Sequence, residues 1–206
     1  MKVSKQKMAE HREQIIAAAA KQFREKGFDG VSVADLMKEA GLTHGGFYGH
    51  FSSKEELVAL ASQSAIRETA QKWKKVMEES PDDPFEAFAQ YYLSNRHQAH
   101  PETGCLMAAL GSDLARQPRS VKEAVMEERN TVLDLFARFA PGRTKAERKK
   151  QAISFFAQLV GAMIMARSLP DRARSEEILK AVAASVANSV STDAIGRSNQ
   201  CEVNPA

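Results

Sequence analysis

Ser32-Val33-Ala34-Asp35-Leu36-Met37-Lys38-Glu39-Ala40-Gly41-Leu42-Thr43-His44-Gly45-Gly46-Phe47-Tyr48-Gly49-His50-Phe51 is the stretch on which the reading of this chain turns. Ser32 followed three residues later by Asp35 is a capping box: the hydroxyl accepts from a free first-turn amide while the carboxylate reaches back to the cap. Val33, Leu36, Met37 and Ala40 then recur at helical spacing, so a helix is expected over 32–40. Gly41 supplies the left-handed backbone that ends a helix abruptly. Leu42 turns back toward the core, and Thr43 is placed to cap a short helix over 43–50 in which Phe47 and Phe51 face inward. Thr43, His44, Gly45, Gly46, Tyr48 and His50 are left on the outside. Helix, tight glycine turn, short helix is the helix-turn-helix plan, whose second helix enters a DNA major groove. Gly45 and Gly46 sharpen the point. Each costs a helix interior about 1 kcal/mol against alanine, and what glycine permits in return is close approach of another backbone, a DNA groove being one such partner.

Outward from this stretch the chain keeps a helical rhythm. Further capping boxes stand at Ser53/Glu56, Asp83/Glu86, Ser120/Glu123 and Thr144/Glu147, each opening an apolar-periodic segment. Ile15, Ala19 and Phe23 line one face early in the chain, and Ile178, Val182, Val186 and Val190 do so near its end. Helices are expected over 9–27, 32–40, 43–50, 54–79, 84–98, 104–117, 121–139, 145–168 and 175–190. No segment alternates with period two for long enough to form a strand, so the expected fold is all-α. Residues 191–206 are polar and aperiodic, and a disordered tail is expected there.

Composition bounds the rest. Of 206 residues 43% are hydrophobic and 27% charged, the balance of a globular protein, and a formal net charge of +3 neither demands nor excludes a nucleic-acid partner. Cys105 and Cys201 are the only cysteines, without Cys-x-x-Cys or Cys/His spacing, so neither a disulfide framework nor a metal site is expected. A cytoplasmic protein follows. The apolar run Ile153–Ala166 falls short of the roughly 20 residues that span a bilayer. It reads as a helix buried on every side, paired with 178–190 either in a four-helix dimer core or in the core of a single chain. Lys2, Lys5, Lys7 and Arg12 read either as a solvated terminus or as an arm that tracks phosphates.

Gly27-Phe28, Gly30-Val31-Ser32-Val33, the run Ala40 to Phe51 and Lys54-Glu55-Glu56-Leu57 resemble the N-terminal domain of the TetR family of bacterial repressors. The run Tyr48-x-His50-Phe51-x-x-Lys54-x-x-Leu57 carries the likeness most specifically. The resemblance implies an N-terminal three-helix DNA-binding domain at 1–53 and a C-terminal helical ligand-binding and dimerisation domain at 54–190. It implies a homodimeric repressor on a palindromic operator in double-stranded DNA, released by an unknown small-molecule inducer, with no cofactor and no membrane. By the same resemblance Ser32, Tyr48, His50 and Lys54 contact DNA phosphates, and His44 with Thr43 reads bases. Gly45, Gly46 and Ala34 fall where some relatives place polar base readers, leaving His44, thymine methyl contacts and DNA shape to carry specificity.

Trp73, Phe85, Phe88, Tyr91, Tyr92, Met107, Met126 and Met163 read as plain core or as the lining of a ligand pocket. Cys105 stands out because Thr103 is placed to cap a helix, which puts the thiol in a first turn where the dipole favours thiolate. The passage 104–117 resembles one in TetR-type regulators of redox and electrophile-detoxification genes, some of which sense through a cysteine. The opposing reading is a buried small hydrophobe. Activation rather than repression is open, and a thiol enzyme using Cys105 with His97 or His100 lacks an evident acidic orienter or oxyanion loop.

Overall fold

The structure is a computed structural model that describes residues 4–198, with side chains to residue 187. Among the described residues the chain is all-α, as expected, and groups into two compact units. The first comprises residues up to Gln71 with His100–Thr131, and the second Lys72–Ala99 with Val132 onward.

In the first unit, α1 (Lys5–Lys26) starts at a cap the sequence reading passed over: Ser4 Oγ accepts from the Lys7 amide at 3.2 Å. The basic residues from Lys5 on therefore belong to a helix and not to a loose arm, while Lys2 lies outside the described residues. The stripe Ile15, Ile16, Ala19, Ala20 and Phe23 is buried together with Phe28, Leu36, Met37, Phe47, Phe51 and Leu57. At Gly27, φ +81°, the chain leaves the helix. Helix α2 (Val33–Glu39) follows with both halves of the Ser32/Asp35 capping box formed. Helix α3 (Lys54–Glu78) opens with Ser53 Oγ accepting the Glu56 amide.

Helix α4 (Pro84–Tyr92) is capped by Asp83, and α5 (Asn95–Ala99) is separate from it, where a single helix over 84–98 is expected. The break has a local cause. The Leu93 amide closes α4 on Ala89, and Ser94 Oγ accepts the His97 amide at 3.2 Å, a fresh N-cap. A 3₁₀ turn at Pro101–Thr103 leads into α6 (Leu106–Arg116), then α7 (Arg119–Phe139), α8 (Lys145–Arg167) and α9 (Arg172–Ser198). The Thr144/Glu147 box forms in full. The Ser120/Glu123 box does not, because α7 already begins at Arg119: the Lys122 amide bonds the Pro118 carbonyl, and Glu123 accepts from Arg119 Nε.

In the second unit Trp73 packs on Phe88, Tyr92, Phe136 and Phe156 with ring centroids 5.4 to 6.0 Å apart, and Phe85 meets Phe155 at 4.2 Å. These rings fill one another's space. Helix α9 is fixed to α8 where buried Ser175 donates its hydroxyl to the Ala166 carbonyl at 2.8 Å. α9 continues to Ser198, into the stretch expected to be disordered; the remainder of that tail, with Cys201, lies outside the described residues. Helix α8 is not buried on every side in the single chain: Ala152, Phe155, Leu159, Met163 and Ala166 are, but Ile153, Ile164 and Met165 are 47, 46 and 56% exposed.

Candidate nucleic-acid interface

The 3₁₀ segment His44–Gly49 is the core of the site. The sequence predicts an α-helix here; three glycines in six residues forfeit the propensity that would hold that form, and tighter i to i+3 bonding takes over. The turn before it matches expectation. Gly41 has φ +70°, and the Leu42 amide reaches back to the Met37 carbonyl at 2.8 Å. Thr43 has extended cap geometry but makes no side-chain cap bond, so its role as a cap is not realised.

Two rings hold the segment down. Phe47 and Phe51 are 1 and 2% exposed with centroids 5.4 Å apart. Outward stand Thr43, His44 and Gly45, with Gly46 half-buried and Tyr48 73% exposed. An added Cβ at Gly45 meets nothing within 4 Å, and at Gly46 it touches Met37 Cε at 3.5 Å, ordinary contact. Neither glycine is required by the protein's own packing.

His50 is half-buried with its ring edge toward His11, centroids 6.2 Å apart. Burial first, then the charges of His11 and Arg12, push its pKa below the usual imidazole value, so at neutral pH it offers an N–H without a full charge. Ser32 is exposed, but its hydroxyl donates to Asp35 Oδ2 at 2.5 Å and its amide to the same oxygen at 3.2 Å. Both its donors are thus engaged. Lys54 opens α3, half-buried, at the foot of the same surface.

Sequence reasoning missed the braces behind this surface. Arg12 reaches Glu56 at 3.2 Å and lies over the Phe51 ring, 5.0 Å from its centroid, which removes it from the set of free arm cations. Glu56 also accepts the Ser52 amide and hydroxyl, each at 2.7 Å. Arg24 is 5% exposed, donating from Nε to Ala20 and from Nη1 to Gly104, each at 2.9 Å, with Glu68 at 3.9 Å. Its burial pulls its pKa down, while Glu68, then Cys105 and Glu102, pull it back up. A signal for Arg24 existed: it occupies the fourth place after Ala20 in an otherwise apolar stripe.

Cys105 is the N-cap of α6 and not a first-turn residue, because Thr103 is taken up in the preceding 3₁₀ turn. The thiol is 1% exposed. His97 donates Nδ1–H to the Tyr92 carbonyl at 2.7 Å, and His100 pairs with Glu102 at 3.0 Å, an acidic partner the sequence reading did not find.

A buried helical unit that presents a glycine turn and an exposed second segment has the helix-turn-helix arrangement. The profile of the bacterial regulatory proteins of the tetR family matches residues 15–61, which contain every element of this surface. Over those residues the chain is similar to the DNA-binding segment of the TetR family. It is 34% identical over 77 residues to the uncharacterized HTH-type transcriptional regulator YerO of Bacillus subtilis, covering 37% of this chain and 27% of YerO. It is 26% identical over 201 residues to the HTH-type transcriptional repressor NemR of Escherichia coli K12, covering 92% of this chain and 99% of NemR. The chain spans only about a quarter to two fifths of the length of the curated relatives that match through the N-terminal segment. In fold it is similar to the crystal structure of the reduced form of E. coli NemR, with TM-score 0.72 and 23% identity over 87% of this chain and 97% of that one.

Proposed function

We propose that this protein is a cytoplasmic homodimeric repressor that binds a palindromic operator in double-stranded DNA and lets go of it when a small-molecule or electrophile signal arrives. The observation that carries the reading is the His44–Gly49 segment, anchored by buried Phe47 and Phe51 and faced by glycines for which the protein has no packing need. Bare backbone at Gly45 and Gly46 leaves room for a groove wall. His44 and Thr43 read base edges, while Tyr48, His50 and Lys54 hold phosphates. Ser32 contributes chiefly as the cap that fixes α2, since a phosphate would have to displace Asp35 from both its donors. Reading is assigned to 1–53, regulation and pairing to 54–190.

The signal has a physical route. Helix α6 packs on α1 within one unit: Arg24 of α1 bonds Gly104 just before α6, and Asp113 of α6 lies within 3.1 Å of where a Gly27 Cβ would stand. A ligand that binds one setting of α6 better than another shifts α1 and the start of α3, and with them the separation of the two reading segments in a dimer. A thiol route through Cys105 is the narrower part of the proposal, since a reagent reaches that sulfur only when the start of α6 opens. Full-length similarity to NemR, named a repressor, supports repression over activation.

Selection of bound duplexes from a randomised DNA pool, followed by footprinting upstream of the protein's own gene, tests this. A two-fold symmetric site is expected; recovery of no preferred sequence would sink the reading. Treatment with a quinone should release that site from the wild type and not from Cys105→Ser if the thiol route operates, and equal release from both would end that part alone.

A further inference from the structure

Helices α6 and α7 enclose a cleft of about 440 Å³ in the first unit. Its floor is apolar and its rim is cationic. On α6, Met107, Gly111 and Leu114 line it at i, i+4 and i+7; on α7, Lys122, Val125, Met126 and Arg129 do so at i, i+3, i+4 and i+7. The other face of α7 is held on α3 by Gln63, whose Nε2 donates to the Ala124 carbonyl at 3.0 Å, and by Arg67 with Glu128 at 3.5 Å. The cleft-facing residues are therefore not turned outward by a loose helix.

Three details make the cleft more than a gap between helices. Most of the large apolar side chains left exposed among the described residues have another account: Tyr48 on the DNA-reading segment, Ile153, Ile164 and Met165 on α8. Tyr91 and Met126, 43 and 47% exposed, do not, and of these two Met126 stands at the mouth of this cleft. Gly111 sits in the interior of α6, where alanine is the better helix former. A Cβ there would meet only the Met107 methyl at 3.7 Å, so helix packing does not call for glycine, and its absence of side chain deepens the cleft. The charges are the third detail. Glu123, the one carboxylate lining the cleft, already accepts from Arg119 at 2.7 Å. Lys122 and Arg129 make no ion pair among the described residues, and stand two helical turns apart, about 10 Å along the axis, with Val125 and Met126 between them.

We propose that this cleft is a binding site for an amphipathic carboxylate, its apolar body laid on Met107, Gly111, Val125 and Met126 and its anion held by Lys122 or Arg129. An ammonium would face three cations at this lining, and an uncharged apolar body would forgo the attraction that Lys122 and Arg129 offer an anion. The proposal deepens the reading of a small-molecule signal by naming the ligand's chemistry and its place on α6. It is tested by binding alone, so it stands or falls separately from the DNA reading.

The test follows the carbon-labelled methyl groups of the full chain's eight methionines by NMR while decanoate is added, with decylamine as the opposite charge on the same chain. Decanoate should shift the Met107 and Met126 methyls saturably at millimolar concentration or below. The double variant Lys122→Gln/Arg129→Gln, both exposed positions, should bind about tenfold more weakly. Gly111→Leu, which fills the cleft without touching a cation, should abolish the shifts while the remaining methionine signals keep their positions. Equal shifts with decylamine, unchanged affinity in the double variant, or no saturable shift with decanoate would each overturn the proposal.

Discussion

At position 44 a single exposed imidazole stands on a surface otherwise built from glycine backbone, one threonine and one tyrosine, and in the proposed function it supplies most of the base-reading capacity. His44→Ala should therefore flatten base preference in a duplex selection while leaving affinity for unselected DNA nearly unchanged; a uniform weakening across all sequences would assign His44 to the phosphates instead. Glu56 makes a residue-scale prediction about pH. The Ser52 amide and hydroxyl, then Arg12, hold its carboxyl below the ordinary 4.5. The unfolded chain thus takes up this proton first as pH falls, so the stability Glu56 adds is present above 4.5 and is lost as pH drops through its lower folded value. Glu56→Gln should flatten the fall of melting temperature over that acid range, measured by calorimetry at a series of pH values.

At the scale of elements, the link between α1 and α6 is the one most worth breaking. Arg24→Met keeps most of the buried stem but removes the donors to Ala20 and Gly104, leaving a buried carbonyl unanswered. A loss of about 1–3 kcal/mol is expected by urea denaturation. Arg24→Lys should recover only part of it, because an ammonium cannot serve the two carbonyls from the planar fork that the guanidinium provides. Elements also show where sequence reading succeeds. The caps at Ser32 and Thr144 form as read because both partners sit three residues apart on one strand of chain. The Ser120 cap fails and α4 breaks from α5 because Pro118 and Ser94 offer competing local starts. Composition alone does not rank such rivals.

For the whole molecule the decisive surface is the outward stripe of α8. In the proposed homodimer the exposed Ile153, Ile164 and Met165 are the apolar side chains of α8 that a second copy would cover. Ile164→Glu/Met165→Glu should raise the dimer dissociation constant on the order of a hundredfold or more. Analytical ultracentrifugation would read it as a shift to the monomer mass, with operator binding lost in parallel. A double variant that sediments like the wild type would remove α8 from the interface.

Sequence alone determined what short-range physics decides: that the chain is helical, where most helices start, that Gly41 turns the chain, and which face of residues 32–51 is left outside. Each depends on residues within about one turn of one another. The tertiary structure decided what depends on partners far along the chain. It placed Arg12 on Glu56 and Phe51, tied Arg24 to Gly104, buried Cys105, and set Met107 and Met126 on a cleft of the first unit. An arginine in an apolar stripe or a methionine on a helix face has the same local spacing whether it braces, lines a cleft or fills a core. Only the long-range packing tells these apart, because burial and pairing are properties of the surroundings and not of the segment.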